Sequence, residues 1–418
     1  MEAVKEKCAN VERILSSQLK GIARDAGFDN WEVERCDVRP AAQGLSGFLG
    51  DHFKLDLHLR KDNTIRIIHL FAKFLPLINI PKAKLVMESN FFQREALMYD
   101  LFDKLGVYND QNPWCPKALR FNETLVVMPD LSYEGYRNVA KLECLDLQHV
   151  RAVVTSMAKF HAAFACYEAN RNCDLQHPHS FYDEHREELM DKSFMDSPWL
   201  RAAAKLTYNF LKEFSTKQLD RSVEKIMIEL FIDTCNDLRQ REDSLNVLIH
   251  RDLWTNNIMF RYDGTHPTDA VMLDFQCVRY GPPAFDIMIF LYLTTSRKFR
   301  LAHEMEVLNH YYTVFTHCLD DVTKGKLKDY NYGRWDLFNW CEKARRFAMM
   351  ETLAIHPFVL MEEHVAEETF DNPDTFVKYN DEDRSGPVLK HARENETYRS
   401  RQLEHAEEFV DRYVYKLI

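Results

Sequence analysis

No apolar run in this sequence reaches the length of a membrane span, so no segment is expected to cross a bilayer. There is no Cys-x-x-Cys pair either. The ten cysteines stand singly along 418 residues, without metal-ligand spacing, and read as reduced thiols. Positive charge is in deficit, with 54 Lys and Arg against 65 Asp and Glu and a net charge of −11. Nucleic acid and anionic membranes, which need a basic face, are therefore excluded as main partners. The opening residues, Met1 through Lys7, are too charged for a secretory leader, and the expected location is the cytoplasm. Internal repeats and low-complexity tracts are missing as well. What remains is an ordinary globular composition, 46% hydrophobic and 28% charged, over a length that allows two lobes with real cores.

The chemistry concentrates in residues 246–290. Two short apolar runs, 247–249 and 270–273, each lead into a polar cluster carrying an aspartate, and short apolar runs bounded by turn residues read as buried strands. Between them, Tyr262-Asp263-Gly264-Thr265-His266-Pro267 holds the glycine and proline of a chain reversal. Asp252 and Asp274 are thus expected at the ends of neighbouring strands, facing one cleft. Phosphoryl transfer needs a carboxylate to orient the attacking hydroxyl and hard oxygen ligands for magnesium. In His250-Arg251-Asp252, with Asn257 five residues on and Asp274 at the next strand end, that set is present. Asp252 would take the hydroxyl proton, while Asn257 and Asp274 would hold Mg2+ against the phosphates of ATP. The competing reading is that these are turn and cap residues, positions that Asp and Asn favour anyway.

These residues carry a resemblance. The run His250-Arg251-Asp252-Leu253-Trp254-Thr255-Asn256-Asn257-Ile258-Met259-Phe260, with Asp274-Phe275-Gln276 and Pro283-Ala284-Phe285-Asp286, is similar to the ecdysteroid kinase-like family of insects. That family lies within the aminoglycoside and choline kinase-like phosphotransferases. Its usual form has glycine between the histidine and the first aspartate, where this chain has Arg251. The resemblance implies a two-lobed, protein-kinase-like α+β fold and transfer of the ATP γ-phosphate to a small-molecule alcohol, an ecdysteroid or similar lipophile. It also implies a structural role for Asp286, as a brace for the catalytic loop.

Upstream, Gln43-Gly44-Leu45-Ser46-Gly47-Phe48-Leu49-Gly50-Asp51-His52 is a glycine-bearing turn before an alternating strand. Gly47 and Gly50 would let backbone amides approach phosphate, and the run resembles the family's loop. Lys73 sits in the β-rich run 64–76 among apolar neighbours, where a cation is costly unless paired. It is either an edge lysine snorkelling to water or the phosphate-gripping lysine, steadied by a helix glutamate. Glu95 matches the family's glutamate, with Glu88 the rival. Leu125 through Leu131 reads as a strand ending in a Pro-Asp turn, the segment that joins the lobes and offers adenine backbone hydrogen bonds near Met128 and Asp130. The expected division is an N-terminal lobe, 1–127, and a mainly helical C-terminal lobe, 128–418.

Helices are expected over 11–26, 150–168, 194–214, 223–238, 297–312, 335–355 and 394–414, and a long polar loop over 369–395. His161, on the apolar side of its helix, reads as a core or capping histidine. Phe194, Met195, Trp199, Leu200, Phe210, Phe214, Tyr311, Trp335, Phe338, Trp340 and Phe347 are the aromatic and apolar candidates for an acceptor cleft.

A protein kinase is a poor match despite His-Arg-Asp. Asp274-Phe275-Gln276 replaces Asp-Phe-Gly, no Ala-Pro-Glu follows, and eleven residues between Asp274 and Asp286 leave no room for a peptide-seating segment. The remaining alternatives are a choline or aminoglycoside-type kinase and a non-catalytic, kinase-like binding module.

Overall fold

A computed structural model describes residues 2–42, 47–173, 180–190, 192–220, 222–242 and 244–415. The first part of the chain builds an antiparallel sheet from β1 (Glu32–Pro40), β2 (Asp51–Lys61), β3 (Thr64–Phe74), β4 (Arg120–Phe121) and β5 (Leu125–Pro129), in the order β1-β2-β3-β5-β4. Side chains alternate across a strand, so β2 sends Phe53, Leu55, Leu57 and Leu59 to one face. There they meet Val11, Leu15 and Ile22 from two N-terminal helices, Glu2–Leu15 and Leu19–Asp25. The single helix expected over 11–26 is therefore broken. Ser16 turns its hydroxyl onto the Arg13 carbonyl at 2.8 Å, the local competition by which serine interrupts a helix.

The larger part is mainly helical. Its centre is the Pro283–Thr294 helix, of which all twelve residues are buried. A helix apolar all round must be enclosed, and this one packs against the long Arg334–Val359 helix. Around them lie Leu147–Cys173, Pro198–Phe214, Ser222–Thr234 and Arg297–Cys318. The expected 194–214 helix starts at Pro198, because Ser197 caps it through the Leu200 N–H and proline suits the first turn. Five short strands complete this part: β6 (Tyr136–Arg137), β7 (Val247–Ile249), β8 (Ile258–Asp263), β9 (His266–Met272) and β10 (Arg279–Gly281).

Two expectations need correcting. The apolar runs before Asp252 and Asp274 do not pair with each other: β7 pairs with β10, while β9 pairs with β8 in the sheet β6-β8-β9. The predicted reversal joins β8 to β9, with Gly264 at φ +60°. Residues 369–395 are not a structureless loop. They contain the end of Glu363–Phe370 and all of Ser385–Glu394, whose Val388, His391 and Ala392 share a buried face. Glu396–Phe409 closes the helical lobe.

Candidate active site

Lys73 lies on β3 opposite Val126, between Ala72 and Phe74, and is 4% exposed. Its ammonium donates to Glu95 Oε2 at 2.7 Å, Asp274 Oδ1 at 2.7 Å and Gln276 Oε1 at 2.8 Å. Burial works against the charge, but the Asp274 and Glu95 carboxylates outweigh it and hold the lysine above its ordinary range. Glu95 is buried on the Phe91–Lys104 helix, whereas Glu88 is exposed and faces Lys84. The snorkelling reading of Lys73 is excluded by this enclosure.

The loop after β7 is held by Asp286, in the first turn of the buried helix. Its Oδ2 accepts the His250 N–H and its Oδ1 the Arg251 N–H, both at 2.7 Å. His161 Nε2 meets the same Oδ2 at 3.0 Å, while its Nδ1 meets the Tyr311 hydroxyl at 2.7 Å, so His161 is a core residue. His250 accepts the Asp252 N–H at Nδ1, 3.3 Å away. Nε2 is then the protonated nitrogen, donating to the Leu273 carbonyl at 2.8 Å, and this ties the loop to the residue before Asp274.

Asn257 Nδ2 donates to the Asp252 carbonyl at 2.8 Å and to Asp252 Oδ2 at 3.1 Å. Burial, and then the Asp274 charge, push the Asp252 carboxyl up to about 8. Asn138, which the sequence did not single out, donates to the carbonyls of Thr255, Asn256 and Ile258 and secures the far side of the loop. Arg251 and Asp274 both take left-handed backbone, at φ +68° and +66°. Only glycine does so without steric cost, so the family's glycine fits this position, and Arg251 occupies it under strain.

Gly47 lines the cleft against His52, whose ring a Cβ at this position would strike. Gly50 lies behind it, where a Cβ would come within 3.0 Å of the Phe74 carbonyl and 3.1 Å of Lys73 Cγ. Gln43, Gly44, Leu45 and Ser46 fall outside the described residues. Met128 lines the cleft from β5. Asp130 lines it too, with its N–H donating to His69 O and its carbonyl accepting from Tyr133 N, both at 3.0 Å, which leaves the carbonyl's second lone pair as its backbone group for adenine. Its carboxylate caps Ser132 and pairs with Lys54 at 2.9 Å.

These residues surround one cavity of about 1010 Å³. Much of its wall is apolar, with Phe194 and Trp199 as anticipated, joined by Phe48, Ile355, Phe358, Phe370 and Phe376. The other anticipated cleft residues do not line it. Leu200, Phe210, Tyr311, Trp340 and Phe347 are core, Phe214 and Phe338 pack on that core, and Met195 and Trp335 are 49% and 72% exposed. Gln276 and Glu351 also reach the cavity. A glutamate inside the apolar run Ala348-Met349-Met350-Glu351-Thr352-Leu353 was the available signal for the second of these.

Magnesium fits this donor set. Among the described residues no cluster of three or more His, Cys, Asp or Glu can hold a metal unaided. Magnesium is typically bound by one or two carboxylates plus substrate phosphates, which matches Asp274 with one amide oxygen. Asn257 spends its amide nitrogen on Asp252, so its oxygen is the atom that would face a cation.

With its paired lysine in the sheet lobe and its aspartates in the helical lobe, the molecule has the two-lobed, protein-kinase-like α+β fold. Within that class the chain belongs to the ecdysteroid kinase-like family, whose model matches residues 45–324. It is 27% identical over 147 residues to an uncharacterized kinase-like protein of Caenorhabditis elegans, a match covering 34% of this chain and 39% of that relative. The chain thus matches well under half the length of this curated relative. Among solved structures it is similar to a choline kinase from Cryptosporidium parvum Iowa II, at 11% identity, 96% coverage of this chain, 98% of that one and a TM-score of 0.44. A GDP complex of aminoglycoside 2'-phosphotransferase-IIIa gives 12%, 92%, 95% and 0.40.

Proposed function

We propose that this protein transfers the γ-phosphate of ATP, with magnesium, to a hydroxyl of a bulky and mostly apolar alcohol, an ecdysteroid or a similar lipophile. In this reading residues 1–127 form the nucleotide lobe, and residues 128–418 carry the catalytic loop and the acceptor pocket. The observation that supports it best is that Lys73, Asp252, Asn257 and Asp274 converge on one cavity much of whose wall is apolar.

Catalysis of this transfer is mainly positioning and charge neutralisation. Lys73, steadied by Glu95, binds phosphate oxygens, with Gly47 at the cavity and Gly50 packed close on the Lys73 stem letting the backbone of the turn approach phosphate. Asp252 orients the acceptor hydroxyl and takes its proton, held in place by Asn257 below it and by the Asp286 brace behind it. Magnesium, when bound at Asn257 and Asp274, supplies positive charge across the phosphates. Burial and then the Asp274 charge raise the Asp252 carboxyl, so neutralising Asp274 would ease its ionisation, with burial still acting against it.

The test is ATP turnover with an ecdysteroid, choline, ethanolamine and an aminoglycoside side by side. Selective turnover of the steroid is the expected result. Turnover of choline or the aminoglycoside with the steroid inert would overturn the acceptor assignment.

A further inference from the structure

The cavity wall holds a carboxylate that the phosphoryl-transfer machinery does not use. Glu351 is 1% exposed on the Arg334–Val359 helix, and neither of its oxygens has a hydrogen-bond partner among the described residues. Among the described residues its nearest cation is Arg251, whose Nε lies 3.6 Å away, and the Arg279 charge also reaches it. Burying a carboxylate without hydrogen bonds is costly, so its two oxygens mark where a ligand donor or acceptor would be best received.

The surroundings choose the kind of ligand. An ammonium acceptor would need open aromatic faces. Here the guanidinium of Arg251 lies 4.7 Å from the Phe194 ring centroid, and that of Arg384 lies 4.8 Å from Phe358 and 5.5 Å from Trp199. Each of these three pocket rings already carries a fixed cation, Arg251 from the cavity wall and Arg384 from the protein interior, and the Arg251 charge would repel a cationic ligand. Asp381 at the cavity edge is already engaged by Asn380 at 2.7 Å. A neutral molecule with an apolar body meets none of these penalties.

Resting on the proposed reaction, we infer that Glu351 is a specificity-determining residue: it hydrogen-bonds a second hydroxyl of a neutral, polyhydroxylated acceptor, while Arg251 beside it turns cationic alcohols away. Burial pushes the Glu351 carboxyl up to about 8 against the pull of Arg251, so at neutral pH it both donates to and accepts from a neutral hydroxyl. A site built to bond a hydroxyl rejects the analogue that lacks it far more strongly than a plain apolar pocket does.

The experiment measures binding by the full chain, through tryptophan fluorescence, with a non-hydrolysable magnesium-nucleotide present. The probes are two steroids that differ by a single hydroxyl, and choline. Wild type is expected to favour the more hydroxylated steroid by about tenfold or more. The preference should fall to near one in E351L and persist in E351Q, which keeps a donor and an acceptor. Because E351L leaves Arg251 without its carboxylate, the double variant R251G/E351L removes both buried charges together and should lose the preference in the same way. An equal preference in wild type and the leucine variants, tighter binding of choline than of either steroid, or no binding of either steroid would overturn the inference. Selective steroid binding without phosphate transfer would keep it and remove the proposed reaction instead.

Discussion

Asp286 accepts the backbone N–H groups of both His250 and Arg251 at 2.7 Å, and so fixes the peptide that leads into Asp252. The interaction is charge-assisted and fully buried, and the Asp286 carboxyl stays below its usual range because His161, His250 and these amides outweigh burial. Asp286→Ala should destabilise the protein by roughly 3–5 kcal/mol, the usual cost of breaking a buried charged network. Asp286→Asn should cost less and still lower turnover, because one of the two amide acceptors becomes a donor. Denaturant melts alongside ATP turnover check both; an unchanged midpoint in the alanine variant would contradict the bracing role.

Asp252→Asn should remain folded and lose roughly 10²–10⁴-fold in turnover with its true acceptor, the usual contribution of a positioned base. It should also change stability in a pH-dependent way. The folded Asp252 holds its proton up to about pH 8, whereas the unfolded chain releases it near 4. Between those values the native state binds more protons than the unfolded state, so stability falls as pH rises, by up to about 1.4 kcal/mol per unit. Asparagine does not titrate. The variant should therefore gain on wild type between pH 5 and 8 in metal-free melts, and a constant difference would argue against the raised carboxyl.

Magnesium-ATP should raise the melting temperature, since ligand at a hundred times its dissociation constant adds about 2.7 kcal/mol to apparent stability. Lys73→Ala should shrink that rise. Its own apparent stability will also change because Glu95 loses a 2.7 Å partner, so the comparison is the nucleotide-dependent shift within each variant. An equal shift in both proteins would remove Lys73 from the phosphate site.

Arg251→Gly sets two effects against each other. Relief of the left-handed backbone gains about 1–2 kcal/mol. Loss of the guanidinium leaves Glu351 buried without its nearest cation, with Arg279 the other charge that favours ionisation, and its carboxyl, already up to about 8 through burial, rises further. Near pH 6 the carboxyl stays protonated in both proteins and the variant should come close to wild type. By pH 9 wild-type Glu351 is ionised beside Arg251, and the variant has to hold the proton or bury a charge with only Arg279 to offset it, so it should be clearly less stable. Melts at the two pH values read the difference, and a variant equally stable at both would sink this account.

Much of the site is legible in the residue order because the reacting groups lie close together along the chain. Asp252, Asn257 and Asp274 fall within one strand–loop–hairpin unit, where spacing and turn chemistry are local properties. Lys73, embedded in apolar β-strand residues, advertises by its cost alone that it needs a partner. Strand partnership was less legible: β7 and β9 read as neighbours, yet each pairs elsewhere, since pairing depends on register between segments and not on composition within them. The polar stretch over 369–395 hid a helix in the same way. Asp371 at its head is held by Lys82 at 2.8 Å and Lys7 at 3.2 Å, contacts more than 280 residues apart in sequence.

The sequence by itself determined the candidate donors of the centre, because phosphoryl transfer requires particular oxygen donors at short range and Asp252, Asn257 and Asp274 follow one another in order. Only the tertiary structure decided which glutamate meets Lys73, that Asp130 bonds its N–H within the chain, and which aromatic residues face the cavity. Each of those depends on which side of an element is turned inward when distant segments pack. Glu351 shows the difference most plainly: in the sequence it is one acidic residue in an apolar helix, and only packing brings it beside Arg251 with two unpaired oxygens on the pocket wall.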